Sequence, residues 1–193
     1  MCNNYANHVP PQDYFEAFRQ TRLPLRFAGG RTPNLEPRDD IRSTDRAPVI
    51  YALNGGVELD ELSWGLKPKA PKGAPVINFR SEGREFPSGR CLVPASWFYE
   101  FTGDKYPKTR WRFEKVGEPW FCIAGLMRDR GDSARFTMLT CDPGPDVAAF
   151  HDRQVAVLDR AEWAAWLDPR VPAQRLLKTL PAGSFTVTEW PRK

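Results

Sequence analysis

Cys2 stands directly behind the initiator methionine in "MCNNYANH". Removal of that methionine, expected where the second residue is small, would leave a free α-amine two carbons from a thiol. In model peptides the amine of such a 1,2-aminothiol titrates near ~8 and its thiol near ~8.5, so both are nucleophiles close to neutral pH. A second candidate is Glu100 in "RCLVPASWFYEF". In an extended strand Trp97, Tyr99 and Phe101 share one face, while Phe98 and Glu100 share the other. Aromatic surroundings disfavour an ionised carboxylate and suit Glu100 to donate a proton near neutral pH. At a strand end the same residue would simply point to water. His151, in "AAFHDRQVAVL", precedes an apolar strand and carries an imidazole able to act as acid or base near pH 7. An ordinary hydrogen-bonded loop histidine is the plainer reading of it. His8 lies close to Cys2 in sequence, but nothing around it suggests a pocket, so a thiol–imidazole pair there is disfavoured. In "PVINFRSEGREF", Asn78 and Arg80 stand two apart and point the same way from an extended backbone, a geometry suited to a sugar or a phosphate. Against that stands a solvated, self-neutralising cluster of Arg80, Glu82, Arg84 and Glu85.

The elements that must position these residues are short. After "HVPPQ", Asp13 is placed to cap a helix over "YFEAFRQ", with Glu16 three residues on and Tyr14 and Phe18 on one face. Residues 21 to 48 mix prolines and charges without a period and read as an irregular surface segment. "APVIYAL" and "VELDELSWGL" flank "NGG", a strong hairpin signal. "RCLVPASWFYEF", "TRWRFEK", "PWFCIAGL" and "RFTMLTC" predict strands separated by Gly, Pro and Asp turns. "DRAEWAAWLD" pairs Asp159 with Glu162 at a helix start and stacks Trp163, Trp166 and Leu167 on one stripe before Pro169 stops it. "PAQRLLKTL" predicts a second short helix, and "SFTVTEW" alternates like a strand. No repeat or composition break divides residues 1–193. One α+β domain is expected, built around a largely antiparallel, barrel-like β-sheet with a few short helices.

A chain of 193 residues can bury a sizeable core without stapling. Its net charge of +4 permits nucleic-acid binding without demanding it. A content of 12% aromatic residues sets it apart from disordered chains. The cysteines at 2, 91, 122 and 141 form no CxxC pair, and His8 and His151 complete no zinc-ligand spacing with them, which argues against a zinc site. Cys91, Cys122 and Cys141 sit in apolar stretches and read as buried, reduced small hydrophobes. There is no signal-peptide pattern and no apolar run near ~18 residues, so no membrane contact is expected and the reducing cytoplasm is the expected compartment.

Six stretches, in order and approximate spacing, resemble the SRAP (SOS response-associated peptidase) family, whose members shield abasic sites in single-stranded DNA. They are "MC", "WGL" at 64 to 66, "NFRSE" at 78 to 82, "RCLVPASWFYEF" at 90 to 101, "LTCDPGPDV" at 139 to 147 and "HDRQVAVL" at 151 to 158. The resemblance covers most of the chain and implies the SRAP fold. It implies loss of Met1, by self-processing or an aminopeptidase, and attack of the Cys2 amine on the ring-opened aldehyde of an abasic deoxyribose. The thiol would then close onto the Schiff base to give a thiazolidine, a durable DNA–protein crosslink. By the same resemblance Asn78 would hold the N-terminal residue or the sugar. Glu100 would move protons during ring opening and crosslinking, and His151 would assist Schiff-base formation and its reversal. Arg80 would contact a backbone phosphate, Trp64 would stack near exposed bases, and Thr140 would add a phosphate hydrogen bond. The implied partner is single-stranded DNA containing abasic sites, bound by a monomer, nucleoid-associated in a prokaryote, with no cofactor or metal. AP-lyase cleavage of the strand would be a further outcome of the imine.

The chain departs from the family pattern at Asn3 and Asn4, where "MCGR" is common, and at Gln154, Val155 and Ala156, where "HDRMPVIL" is the commoner form. Two other classes compete. An N-terminal-nucleophile hydrolase or amidotransferase also exposes a cysteine after methionine, but its glutamine-binding loops are not found here. A non-catalytic single-stranded DNA-binding module would stack bases on aromatics and leave Cys2 without a purpose.

Overall fold

The computed structural model describes residues 2–19, 21, 23–68, 70, 72–129 and 131–191. Its strands run β1 (Asn4–Asn7), β2 (Leu25–Phe27), β3 (Arg38–Arg42), β4 (Arg46–Leu53), β5 (Gly56–Trp64), β6 (Asn78–Arg80), β7 (Arg90–Ala95), β8 (Trp97–Thr102), β9 (Thr109–Lys115), β10 (Phe121–Arg128), β11 (Arg135–Cys141), β12 (Gln154–Val155), β13 (Val157–Leu158) and β14 (Phe185–Glu189). The helices are α1 (Pro11–Arg19), α2 (Pro145–Ala148) and α3 (Trp163–Leu167). An α+β fold with largely antiparallel strands and short helices is therefore present, as the sequence predicts.

The hairpin at "NGG" shows how local chemistry sets register. Asn54 and Gly55 both adopt positive φ, 50° and 74°, and Leu53 faces Gly56 across a two-residue turn. That is the pairing an Asn-Gly turn of the primed type requires. From it β4 and β5 run antiparallel through eight pairs, from Leu53↔Gly56 to Arg46↔Ser63.

Among the described residues the strands form two sheets. One has five strands in the order β14-β9-β8-β1-β3, every neighbour antiparallel. The other follows β12-β11-β10-β7-β4-β5-β2, with β13 added on β10 and β6 on β11. It curls until β5 meets β11 in a short parallel seam, Arg135↔Ser63 and Phe136↔Trp64. This is the barrel-like element, and it is not strictly closed, because two pairs do not make a full ladder.

"RCLVPASWFYEF" is not one strand. It breaks at Ser96 and passes from the large sheet (β7) to the small one (β8). Ser96 is tied on both sides of the break: its N–H donates to the Ala6 carbonyl at 2.9 Å, and its hydroxyl accepts the His8 N–H at 2.9 Å. Between the sheets Phe98 stacks on Phe113 with ring centroids 4.9 Å apart, alongside Phe121, Phe185, Val93 and Ile123. The far face of the large sheet is covered by the helices, through Tyr14 and Phe18 of α1 and Trp163, Trp166 and Leu167 of α3. The helical stripes read from the sequence are thus both buried.

Helix starts differ from expectation. α1 begins at Pro11, so Asp13 lies in its first turn and does not cap it. Proline is suited to that place because it lacks the N–H that a first turn leaves unpaired. Asp159 precedes α3 through a 3-10 turn over Arg160–Glu162 and makes no side-chain cap bond. "PAQRLLKTL" forms only a 3-10 turn at Ala173–Arg175. Segment 21 to 48 supplies β2, β3 and the start of β4, strands too short and polar to show a period. All four cysteines are unbridged and buried.

Gly125 of β10 faces Cys91 of β7. A Cβ there would lie 3.0 Å from Cys91 Sγ and Val93 Cγ2 and 3.1 Å from the Thr137 carbonyl. Gly125→Ala is expected to destabilise the fold by about 1–3 kcal/mol through overpacking. An unchanged melting temperature would contradict this packing.

Candidate functional site

β1 lies between β3 and β8, with Tyr5 opposite Phe98 and Ala6 opposite Trp97. That register carries Cys2 to the end of β8 where Glu100 stands. The Cys2 backbone N–H bonds to the Glu100 carboxyl. On the other side of the same residue, Asn78 Nδ2 donates to the Cys2 carbonyl at 2.6 Å. The Cys2 thiol donates to the Asn4 carbonyl at 3.3 Å and has no exposed surface. Burial, with help from the charge of Glu100, pushes that thiol up to about 12, so it is held as S–H at neutral pH.

Glu100 is 1% exposed. It shares its face with Phe98 and sits opposite Trp111 of β9, which packs on Phe150 with centroids 4.8 Å apart. Burial pushes its carboxyl up to about 7, and the negative charge of Asp152 works in the same direction. The aromatic setting expected for Glu100 is therefore present, and the alternative of a carboxylate pointing into water is not.

His151 follows α2, whose Val147 carbonyl accepts the His151 N–H at 3.0 Å. Its Nδ1 accepts the Arg153 backbone N–H at 2.9 Å, which assigns the proton of the neutral ring to Nε2. Nδ1 also lies 2.8 Å from Asp152 Oδ1, a contact that becomes a hydrogen bond only when the ring is protonated. Desolvation outweighs that exposed carboxylate and holds the imidazole below its ordinary range, so it is neutral at pH 7.

Asn78 and Arg80 both lie in β6, which runs parallel to β11 with Asn78 opposite Met138 and Arg80 opposite Thr140. Asn78 is half-buried and Arg80 exposed. Asn78 Oδ1 is buried and has no hydrogen-bond partner among the described residues. Met1 lies outside the described residues.

Two expectations are corrected. Trp64 is fully buried, with Tyr5 edge-on at 5.3 Å, Phe136 stacked at 6.3 Å and its indole N–H given to the Ile77 carbonyl at 2.9 Å. It supports the core and offers no face to a base. Thr140 is 1% exposed and its hydroxyl accepts from Arg153 Nη2 at 3.1 Å, so it is not turned toward a phosphate. His8 pairs with exposed Asp39 at 2.8 Å and packs on Trp97, and it does not join Cys2.

Arg153, not singled out from the sequence, and Gln154 organise the loops around the site. Arg153 bridges Glu82 at 2.6 Å, Asp142 at 2.9 Å and Thr140, joining the turn after β6 to the end of β11 and to the His151 turn. Its place in "HDR", two residues from His151, was the available signal. Gln154, a departure from the family pattern, is buried and accepts the Gly144 N–H at 2.9 Å at the start of α2. It latches the loop that carries His151. Among the described residues no helix is long and apolar enough to cross a membrane.

The family described as SOS response associated peptidase (SRAP) matches residues 1–190. The chain is 29% identical to the abasic site processing protein YoaM of Bacillus subtilis, over 93% of this chain and 85% of that one. It is 28% identical to YobE of the same organism, also titled an abasic site processing protein, over 63% of this chain and 65% of that one. A solved structure from Bordetella bronchiseptica superposes with a TM-score of 0.74 at 21% identity, covering 99% of this chain and 100% of the other. One from Bacteroides thetaiotaomicron gives 0.75 at 17% identity, covering 97% and 91%. With the fold and nearly the whole length accounted for, the chain belongs to the SRAP family.

Proposed function

We propose that this chain, acting as one unit, processes abasic sites in single-stranded DNA by a covalent crosslink through Cys2 once Met1 is removed. The observation that carries the reading is the grip on Cys2: its N–H on Glu100 and its carbonyl on Asn78. The atom that would become the nucleophilic amine lies against a carboxyl able to give or take a proton near pH 7.

The chemistry follows from those protonation states. A thiol held up to about 12 is a poor first nucleophile, so the amine attacks the ring-opened aldehyde and expels water to give an imine. The S–H then adds across the C=N bond, sulfur to carbon and hydrogen to nitrogen, closing a thiazolidine. Glu100 supplies the proton for departure of the hydroxyl, and neutral His151 takes and returns protons at the sugar. Arg80 meets the backbone phosphate. The relatives titled abasic site processing proteins support the substrate class.

Intact mass measured before and after incubation with an oligonucleotide bearing one abasic site is expected to show loss of methionine. A stable adduct equal to protein plus oligonucleotide less one water should follow. Processed protein that forms no adduct would overturn the reading. Cys2→Ala should abolish the adduct and keep non-covalent binding, whereas a pure binding module would lose nothing. If Glu100 acts as the acid, the crosslinking rate should fall as pH rises through about 7, and Glu100→Gln should flatten that limb while lowering the rate by about 10²-fold or more.

Stability carries its own signature of Glu100. Its carboxyl titrates at about 7 in the fold against 4.5 as the ordinary value, so between those values the folded chain holds a proton that the unfolded chain has lost. Stability should therefore decline from pH 4.5 to 7. Glu100→Gln should remove the decline, raising the melting temperature more at pH 8 than at pH 5.

A further inference from the structure

A cavity of about 640 Å³ is lined in part by Asn3 and Asn4, the two residues that follow Cys2, and is not used by the chemistry above. Its aromatic lining is Phe101, Tyr106 and Trp190. Tyr106 is 84% exposed. Its charged lining is Arg42 and Arg110 against Asp39 and Asp40, two cations balanced by two anions. Asp40 is the hub of that set: Asn4 Nδ2, Arg42 and Arg110 all bond to its carboxylate. Arg110 also lies 4.3 Å over the ring of Tyr99, and Arg112 stacks on Trp190 at 4.5 Å, so the aromatic wall is braced from behind.

That composition selects against a phosphate and for a nucleobase. A phosphate site would carry excess positive charge, and this lining has none. A base is neutral, flat and edged with both donors and acceptors. The cavity pairs rings for its face with guanidinium and amide donors and carboxylate acceptors for its edge. The position fits as well, since Asn3 and Asn4 follow Cys2 directly and their Cα atoms lie within about 4–7 Å of its own. We infer that this cavity holds the unpaired base of the nucleotide next to the abasic site. The inference rests on the proposed substrate, and it gives the chain a base-dependent contact outside the reacting sugar.

The test uses equilibrium anisotropy on a single-stranded oligonucleotide whose central abasic position is a tetrahydrofuran spacer, which cannot crosslink. The adjacent nucleotide is either dA or a second spacer, placed on the 5′ side and then on the 3′ side. Removing the base while keeping its phosphate should weaken binding by about 5-fold or more on one side. Tyr106→Ala or Trp190→Ala should erase most of that difference and leave the dependence of affinity on salt unchanged. Equal binding of the dA and spacer probes on both sides would overturn the inference. So would a difference that persists in both variants. Because no covalent step is involved, failure of the Cys2 crosslink in the mass measurement is read separately.

Discussion

The pairing of β1 with a neighbour on each side is the constraint from which the rest follows. A chain terminus ordinarily frays, because few contacts hold it. Here residues 4 to 7 form an interior strand, with β3 on one edge and β8 on the other. Tyr5 and Ala6 are fully buried, and Asn7 gives its amide to Tyr14 and to the Pro94 carbonyl. Cys2, two residues ahead of this strand, is thereby brought within reach of the Glu100 and Asn78 side chains that hold its backbone. The proposed crosslink would therefore need little ordering at the moment of reaction, which is what positioning for catalysis demands.

Burial then sets the protonation states. The same desolvation raises the Cys2 thiol and the Glu100 carboxyl and lowers the His151 imidazole, so at pH 7 the thiol and the imidazole are neutral while Glu100 stands near its midpoint. Charge is placed farther out, at exposed Arg80, while Arg153 is spent internally on Glu82, Asp142 and Thr140. The modest net charge of +4 is consistent with such a division.

Much of this was legible in the residues. Alternation in "WFYEF" gave the faces of β8 and put Glu100 with Phe98, because period two survives whatever the sheet does around it, but it does not decide between a buried and a water-facing Glu100, which depends on partners distant in sequence. "NGG" gave its hairpin because only a few residue types tolerate two successive positive φ values. What alternation could not show was the break at Ser96, since both halves of "RCLVPASWFYEF" are apolar and only tertiary partners divide them. Trp64 misled for a related reason. An aromatic beside a glycine reads equally well as a stacking platform or as core, and its partners Tyr5 and Phe136 are 59 and 72 residues away in sequence. Arg153 was hidden by its type: arginine is usually exposed, and its burial depends on carboxylates from two other segments.

The crossing at Ser96 has a mechanical meaning. β7 and β8 are consecutive in the chain, yet each is central to a different sheet, so no loop separates the two layers at that point. A displacement of one layer is transmitted to the other through a single peptide unit, with Glu100 four residues beyond it. The two sheets are thereby coupled as one cooperative body, and amide protons of β7 and β8 should exchange through the same opening event. The position of Cys2 between Glu100 of one layer and Asn78 of the other therefore depends on the integrity of both.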